Sequence, residues 1–200
     1  WQYAIGSTTD QDPEVLGAID VTGTLPTVTI SDLEPNTTYK VWIRSNCTTE
    51  FGAWHLPITF KTNCEAELPD TVTQEFTTIT PDCWSMATGV LAATSAITPS
   101  TSGWSTKAFA NVSLTPANTA ASINLYGTKN NWLISQPIDL GTTAGVYRLS
   151  YKYAITNYNS TGLPATIGSH KLSVVVSTDG GATWSDTNII KNYTGPATYS

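Results

Sequence analysis

The sequence predicts an all-β protein built from two successive β-domains. Apolar and polar residues alternate with a period of two in several segments, most clearly at residues 39–44 and 147–155, as in strands with one buried face. Thr, Ser and Asn dominate the polar residues, which suits strands and the turns between them. No stretch shows sustained helical periodicity. A short polar connector separates the two patterned regions, which predicts domains at residues 1–63 and 64–200.

The first region begins with a strand pattern at residues 1–4 and continues with patterns at Val28 and Ile30, at 39–44 and at 56–60. Residues 33–39 read Leu-Glu-Pro-Asn-Thr-Thr-Tyr, so that Tyr39 opens a strand just after a turn containing Pro35. A Tyr in this position can bond through its hydroxyl to backbone a few residues upstream, which is the tyrosine corner of a β-sandwich. An unrelated hairpin with a proline turn is the alternative.

Leu33, Pro35 and Tyr39, with the strand patterns on both sides, resemble a fibronectin type III domain. The resemblance implies a structural role for these three residues and a sandwich in which residues 1–4 form the third strand. The chain is therefore expected to be an internal piece of a longer protein, with the first two strands of this domain missing. Modules of this kind are more often spacers and binding units than catalysts.

The second region has its clearest strand patterns at residues 131–135, 147–155 and 171–176. Between residues 86 and 122 the side chains are mostly small and polar, which predicts loops and short edge strands. Five landmarks follow in a fixed order, at residues 74–76, 81–84, 131–140, 147–151 and 177–184. Their order resembles the MAM-like, cleaved-adhesin or choice-of-anchor J jelly-roll domains of bacterial surface proteins that use type IX secretion. The resemblance implies a jelly roll that is incomplete at its carboxyl end.

Related cleaved-adhesin domains often carry a calcium loop rich in Asp and Gly after the first Trp. Here residues 85–102 contain no Asp or Glu, which argues against calcium in that loop because hard cations need oxygen ligands, usually with carboxylates. Glu75, at the start of a strand pattern, is the one candidate metal ligand. No other cofactor is expected.

Residues 177–184 fit the Asp-box pattern, Ser-x-Asp-x-Gly-x-Thr-Trp. In this motif Asp179 can accept amide bonds of the turn, Gly180 and Gly181 can take positive φ, and Trp184 can pack under the hairpin. Asp-boxes also recur in sialidase propellers, which need one copy of the motif in each blade. A single copy favours a structural turn over a glycosidase.

The three cysteines are Cys47, Cys64 and Cys83, and none lies in a Cys-x-x-Cys pair. The hairpin predicted around Phe51 places Cys47 opposite Leu56, far along the strand from Cys64 and beyond disulfide reach. A bond between Cys64 and Cys83 is therefore the better pairing, and Cys47 is left to a partner outside this chain. Three free thiols are the alternative.

Composition and motifs also limit the possible functions. A net charge of −6 argues against nucleic acid as a partner, and no apolar run is long enough to span a membrane. The two histidines, His55 and His170, lie in different predicted domains and in no recognised catalytic motif. We therefore expect no catalytic residue in this chain.

Modification is possible at several positions. Sequons begin at Asn36 and Asn159 among others, and residues 70–72 resemble the Asp-Thr-aliphatic signal for O-glycosylation at Thr71. Together these observations predict a non-enzymatic spacer or binding segment of a secreted cell-surface adhesin or surface filament. Its expected partners are other domains of the same long chain, and glycans or proteins at a cell surface. An accessory carbohydrate-binding module of a secreted hydrolase is the alternative.

Overall fold

The computed structural model describes residues 1–22, 27–47, 50–115 and 118–195. The chain divides into two compact units, Trp1–Glu65 and Ala66–Ser200, so the division lies two residues beyond the predicted end of the first domain. Every pairing between the strands described below is antiparallel. The helical elements among the described residues are three short 3-10 turns, at Pro69–Thr71, Phe109–Asn111 and Asp186–Asn188. The all-β prediction is confirmed.

The first unit contains one four-stranded sheet. Its strands are β1 (Gln2–Ser7), β2 (Ile19–Asp20), β3 (Thr38–Arg44) and β4 (Ile58–Lys61), in the order β2-β1-β3-β4. The register between the two central strands pairs Ala4 with Trp42. The predicted strands at residues 1–4, 39–44 and 56–60 correspond to β1, β3 and β4.

The core of the first unit centres on β1 and β3. Ala4 and Trp42 are 0% and 3% exposed, and Tyr3 on the other face of β1 is also buried. Ile43, which pairs with Tyr3, is 41% exposed. Trp42 is thus the most deeply buried residue of β3. The alternating apolar residues that predicted this strand lie on its opposite face.

Two predictions for the first unit are wrong. Val28 and Ile30 lie outside any strand, since the second strand of the sheet is formed earlier, at β2. The hairpin is also centred earlier than predicted, since Asn46 pairs with Phe51 and the Cys47 amide donates to the Glu50 carbonyl at 3.0 Å, so Cys47 does not face Leu56. Val28 and Ile30 alone are too few alternating apolar residues to define a strand.

The second unit contains three small sheets. One has the order β6-β5-β9, formed by β6 (Thr98–Ser100), β5 (Ser85–Thr88) and β9 (Asn131–Ile134). A second pairs β7 (Ser105–Ala108) with β8 (Thr119–Ser122), and a third pairs β10 (Leu172–Val175) with β11 (Ile189–Tyr193). The predicted strands at residues 131–135 and 171–176 correspond to β9 and β10, and the region 86–122 contains loops and short strands.

The strand predicted at residues 147–155 is absent. This segment has no strand assignment apart from an isolated bridge position at Ile155, and Tyr147 and Leu149 are 49% and 59% exposed. Period-two alternation predicts which side chains share a face, but a strand also needs a hydrogen-bonded neighbour, and no described strand pairs with this segment.

Aromatic pairs supply much of the packing in the second unit. The rings of Trp132 and Trp184 lie 5.4 Å apart, and Phe76 meets Trp84 edge-on at 5.1 Å. Such tilted and edge-to-face arrangements are the preferred geometry of aromatic pairs. The Trp132–Trp184 pair attaches the loop that carries Trp184 to β9, and the Phe76–Trp84 pair joins two segments outside the strands.

Candidate functional site

The turn before β3 is held by the hydroxyl of Tyr39, which accepts a hydrogen bond from the Glu34 amide at 3.0 Å. The turn is closed further by the Thr37 hydroxyl, which donates to the Pro35 carbonyl at 2.9 Å. Leu33 is half-buried beside this turn in the sequence. These contacts order the backbone, and no group here is placed for chemistry on a ligand.

The Asp179 turn is likewise a backbone device. The Asp179 carboxylate accepts hydrogen bonds from the Ser177 hydroxyl at 2.6 Å, from the Thr183 amide at 3.0 Å and from the Thr183 hydroxyl. These bonds, with that from Ser177 the strongest, lower the pKa of Asp179 to about 2. Gly180 and Gly181 have φ of 69° and 89°, and Trp184 lies against the turn near Gly181.

A disulfide bond joins Cys64 and Cys83, as predicted, while Cys47 is exposed and free. The exposed residue Thr71 ends a short 3-10 turn, where its hydroxyl donates to the Leu68 carbonyl at 2.8 Å. The side chain of Asn159 is exposed and accepts from Lys107 Nζ at 3.1 Å.

Asn36 is half-buried, with φ of 51°, so its side chain is the less accessible of the two sequon asparagines. Glu75 is exposed. Within the described ranges no group of three or more His, Cys, Asp or Glu side chains could hold a metal ion. A metal at Glu75 stays a prediction without a supporting cluster.

Two features were missed by the sequence analysis. The first is a cluster on the first unit around Arg44, whose guanidinium carbon lies 4.5 Å from the centre of the Phe51 ring and 4.3 Å from that of Trp54. Arg44 Nη1 and Trp54 Nε1 both donate to Glu14 Oε1, at 2.7 and 2.9 Å. Arg44 Nε donates to the buried Gln2 at 2.7 Å. The charge of Arg44 is paired with Glu14 within the protein, so the cluster is better suited to stabilising the sheet edge than to binding a charged ligand.

A cleft of about 310 Å³ opens beside this cluster. Its lining is mostly apolar and includes Pro13, Trp42, Trp54 and Pro57. His55 and Leu56, which is 82% exposed, also line the cleft. His55 Nδ1 lies 3.0 Å from the Leu56 carbonyl oxygen. Among the described residues that line the cleft, none is an acid or a nucleophile that could pair with His55.

The second missed feature is a polar cavity of about 530 Å³ on the second unit. It lies where β5 ends, where β9 begins and where residues 102–103 approach them, and we call it the polar cavity. Most of the side chains that line it are polar; they are Thr88, Ser102, Thr128, Lys129, Asn130 and Asn131. The apolar side chain of Val90 also lines it. Among the described residues, Lys129 is the only charged one in the lining, and none of them contributes a carboxylate.

The backbone around the polar cavity is fixed from several sides. The Gly89 amide donates to the Asn130 carbonyl at 3.0 Å, and the indole of Trp132 donates to the Gly89 carbonyl at 2.8 Å. A Cβ at Gly89 would lie 2.3 Å from the Ala96 carbonyl oxygen, so this close approach requires glycine. The cavity is therefore held by a strand pair and a half-buried indole.

In comparisons with known proteins, no family model, no curated protein and no solved structure matches this chain. In the described part of the chain, none of the helical turns has the length and apolar character that a membrane crossing requires. The functional argument therefore rests on the residues and their geometry.

Proposed function

We propose that this chain is a non-enzymatic spacer and binding segment of a large secreted adhesin or filament at a bacterial cell surface. In this proposal the first unit is a fibronectin type III-like domain, and the second is a MAM-like jelly-roll domain. Its partners are neighbouring domains of the same chain, and glycans or proteins of a cell surface.

The observation that carries the proposal is the disulfide bond between Cys64 and Cys83. Disulfides persist in oxidising compartments and are rare in the reducing cytosol, so this bond supports a location outside the cell. The low proportion of charged residues, 12%, and the abundance of Thr, Ser and Asn agree with an extracellular β-protein.

The geometry also supports binding without catalysis. The strongest local motifs, at Tyr39 and Asp179, are turn devices that specify backbone conformation. The two clefts are open, and their lining residues are suited to shallow recognition of a ligand through hydrogen bonds or apolar contact. Glycosylation at Thr71, Asn36 or Asn159 is part of the same proposal, since extracellular surfaces are where such modification occurs.

The test combines location and activity. Antibodies raised against this chain should label intact, unpermeabilised cells that produce the full-length protein, and the purified chain should leave peptide and glycoside substrates uncleaved. Labelling only after permeabilisation would contradict the proposal. So would hydrolysis by the purified chain that is lost on changing His55 or His170 to Ala.

A second candidate function is an accessory carbohydrate-binding module attached to a secreted hydrolase. The polar cavity favours it, because hydroxyl and amide side chains both donate and accept hydrogen bonds, as sugar hydroxyls do. Sequencing the full open reading frame separates the two candidates. A neighbouring glycosidase domain supports the module, whereas many repeated sandwich domains support the adhesin.

A further inference from the structure

The polar cavity has a lining that is selective in its chemistry. Thr88, Ser102 and Thr128 contribute hydroxyls, and Asn130 and Asn131 contribute amides, all of which can donate and accept hydrogen bonds. Such a lining matches a ligand with many hydroxyl groups. Its volume of about 530 Å³ falls within the range of roughly 300–1,000 Å³ that is usual for small-ligand sites.

Lys129 adds one positive charge to this neutral surface. Its ammonium group donates to the Tyr126 hydroxyl at 2.7 Å and lies 4.2 Å from the centre of the Tyr126 ring, which holds it in place. An ammonium group has three N–H donors, so donors remain for a ligand after the bond to Tyr126. None of the described residues that line the cavity has a carboxylate that would compete with an anionic ligand group for this charge.

Two glycines and an indole keep the cavity open and ordered. A Cβ at Gly103 would lie 2.9 Å from the Asn131 Oδ1 and Cγ atoms, so glycine leaves room for the Asn131 side chain. Asn131 pairs with Thr88 across β9 and β5, and the next residue, Trp132, bonds through its indole to Gly89. The Thr88 hydroxyl and the Asn131 amide are thus presented from a strand pair, which lowers the entropy lost when a ligand binds to them.

We propose that the polar cavity binds an oligosaccharide containing a hexuronic acid, with the sugar carboxylate on Lys129 and the sugar hydroxyls on the hydroxyl and amide side chains. A single ammonium group can pair with one carboxylate. A dense polyanion would instead be repelled by the net charge of −6 of the whole chain. This inference rests on the proposed binding function and names the ligand class for it.

The test measures binding of trimers of galacturonic, glucuronic and mannuronic acid to the intact chain by calorimetry. Matched neutral trimers of galactose, glucose and mannose, and inorganic phosphate, serve as comparison ligands. At least one acidic trimer should bind, and about tenfold more tightly than its neutral counterpart, because a charge-assisted hydrogen bond is lost with the carboxylate. Its affinity should also fall as salt is added, since Lys129 is exposed.

Variants assign the binding to the cavity. Lys129→Gln should weaken binding of the acidic trimer about tenfold and leave the neutral trimer nearly unchanged, and Lys129→Arg should recover most of the affinity. Lys152→Gln, at an exposed lysine outside the cavity, is the matched control and should bind like the original chain. Lys129 is exposed, so these variants should fold, which circular dichroism checks.

The inference is overturned if no acidic trimer binds, if acidic and neutral trimers bind equally, or if Lys129→Gln binds as tightly as the original chain. Phosphate binding as tight as that of the acidic trimer would show an anion site without sugar recognition and would also overturn it. The proposed function fails separately, through labelling only of permeabilised cells or through catalysis. A chain found on the cell surface that binds none of the acidic trimers would retain the function and lose only this ligand.

Discussion

The guanidinium carbon of Arg44 lies 4.3 Å from the centre of the Trp54 ring, and both side chains donate to the same oxygen of Glu14. This geometry attaches the segment after β3 to the segment before β2. It also gives the side-chain oxygen of Gln2 a hydrogen-bond donor, Arg44 Nε; Gln2 is only 5% exposed. A surface cluster therefore secures a polar group at the start of the central strand β1.

We expect Arg44→Ala to lower the free energy of unfolding of the first unit by about 2 kcal/mol. Most of this loss comes from the buried Gln2 acceptor left unpaired and from the lost stacking on Trp54. The ion pair itself contributes little, because the Glu14 side chain is 58% exposed. Arg44→Lys should cost about 1 kcal/mol, since lysine keeps the charge but not the planar fork.

Urea denaturation measures the loss, and hydrogen exchange of the β3 amides assigns it to the first unit. Arg148→Ala is the matched control, at an exposed arginine of the second unit, and should change stability by less than about 0.5 kcal/mol. Equal stability of Arg44→Ala and the original chain would show that the cluster forms without stabilising the sheet.

The sequence predicted the elements that depend on local chemistry. Tyr39 was expected to bond upstream, and its hydroxyl accepts from Glu34; the glycines after Asp179 were expected at positive φ, and they have it. In both turns the donors and acceptors lie within five residues of each other, so their spacing in the sequence fixes their geometry. The pairing of Cys64 with Cys83 was predicted because a bond between Cys47 and Cys64 was excluded.

Features that depend on distant partners were not predicted. The alternation at residues 147–155 predicted a strand with one buried face, but residues 147–152 are all exposed and no described strand pairs with this segment. The polar cavity combines Thr88 with Lys129, about forty positions apart, which only the pairing of β5 with β9 brings together. The one local signal for it was the polar sequence of residues 128–131, which runs from the Gly127–Thr128 turn to the start of β9.

The Asp179 carboxyl should titrate in the folded chain with a pKa of about 2, below its ordinary value of 3.8, because Ser177 and Thr183 hydrogen-bond its ionised form. A lowered folded pKa contributes stability that is present above the unfolded pKa and is lost as the pH falls through the folded pKa. The stability advantage of the original chain over Asp179→Asn should therefore shrink between about pH 4 and pH 2. Carbon NMR of the carboxyl group gives the pKa, and thermal unfolding at each pH gives the difference. An advantage that is constant over this range would contradict the assignment.

Tyr151 should ionise with a pKa of about 12, raised from 10.0 first by burial and then by the hydrogen bond to Tyr193, whose hydroxyl lies 2.7 Å away. Here the folded pKa is raised, so the contribution to stability is complete below pH 10 and is lost as the pH rises towards 12. Tyr193→Phe should bring the pKa of Tyr151 closer to its ordinary value. Ultraviolet titration of tyrosinate absorbance measures both, with Tyr126→Phe as a control at a tyrosine outside this pair. An unchanged titration curve for Tyr151 in the Tyr193→Phe variant would refute the coupling.

The double variant Cys64→Ser/Cys83→Ser should unfold with a free energy lower by about 3 kcal/mol, the value expected when a cross-link closes a loop of roughly 20 residues. Most of the effect comes from the unfolded chain, whose conformational entropy rises when the link is removed. Cys47→Ser is the control and should leave stability nearly unchanged, because Cys47 is exposed and free.

Reducing agent should lower the stability of the original chain and of Cys47→Ser by the same amount, and should not affect the double variant. If the double variant is as stable as the original chain under oxidising conditions, the bond serves a purpose other than stability. If reducing agent destabilises the double variant as well, the reductant acts elsewhere and the assigned pairing does not explain the loss.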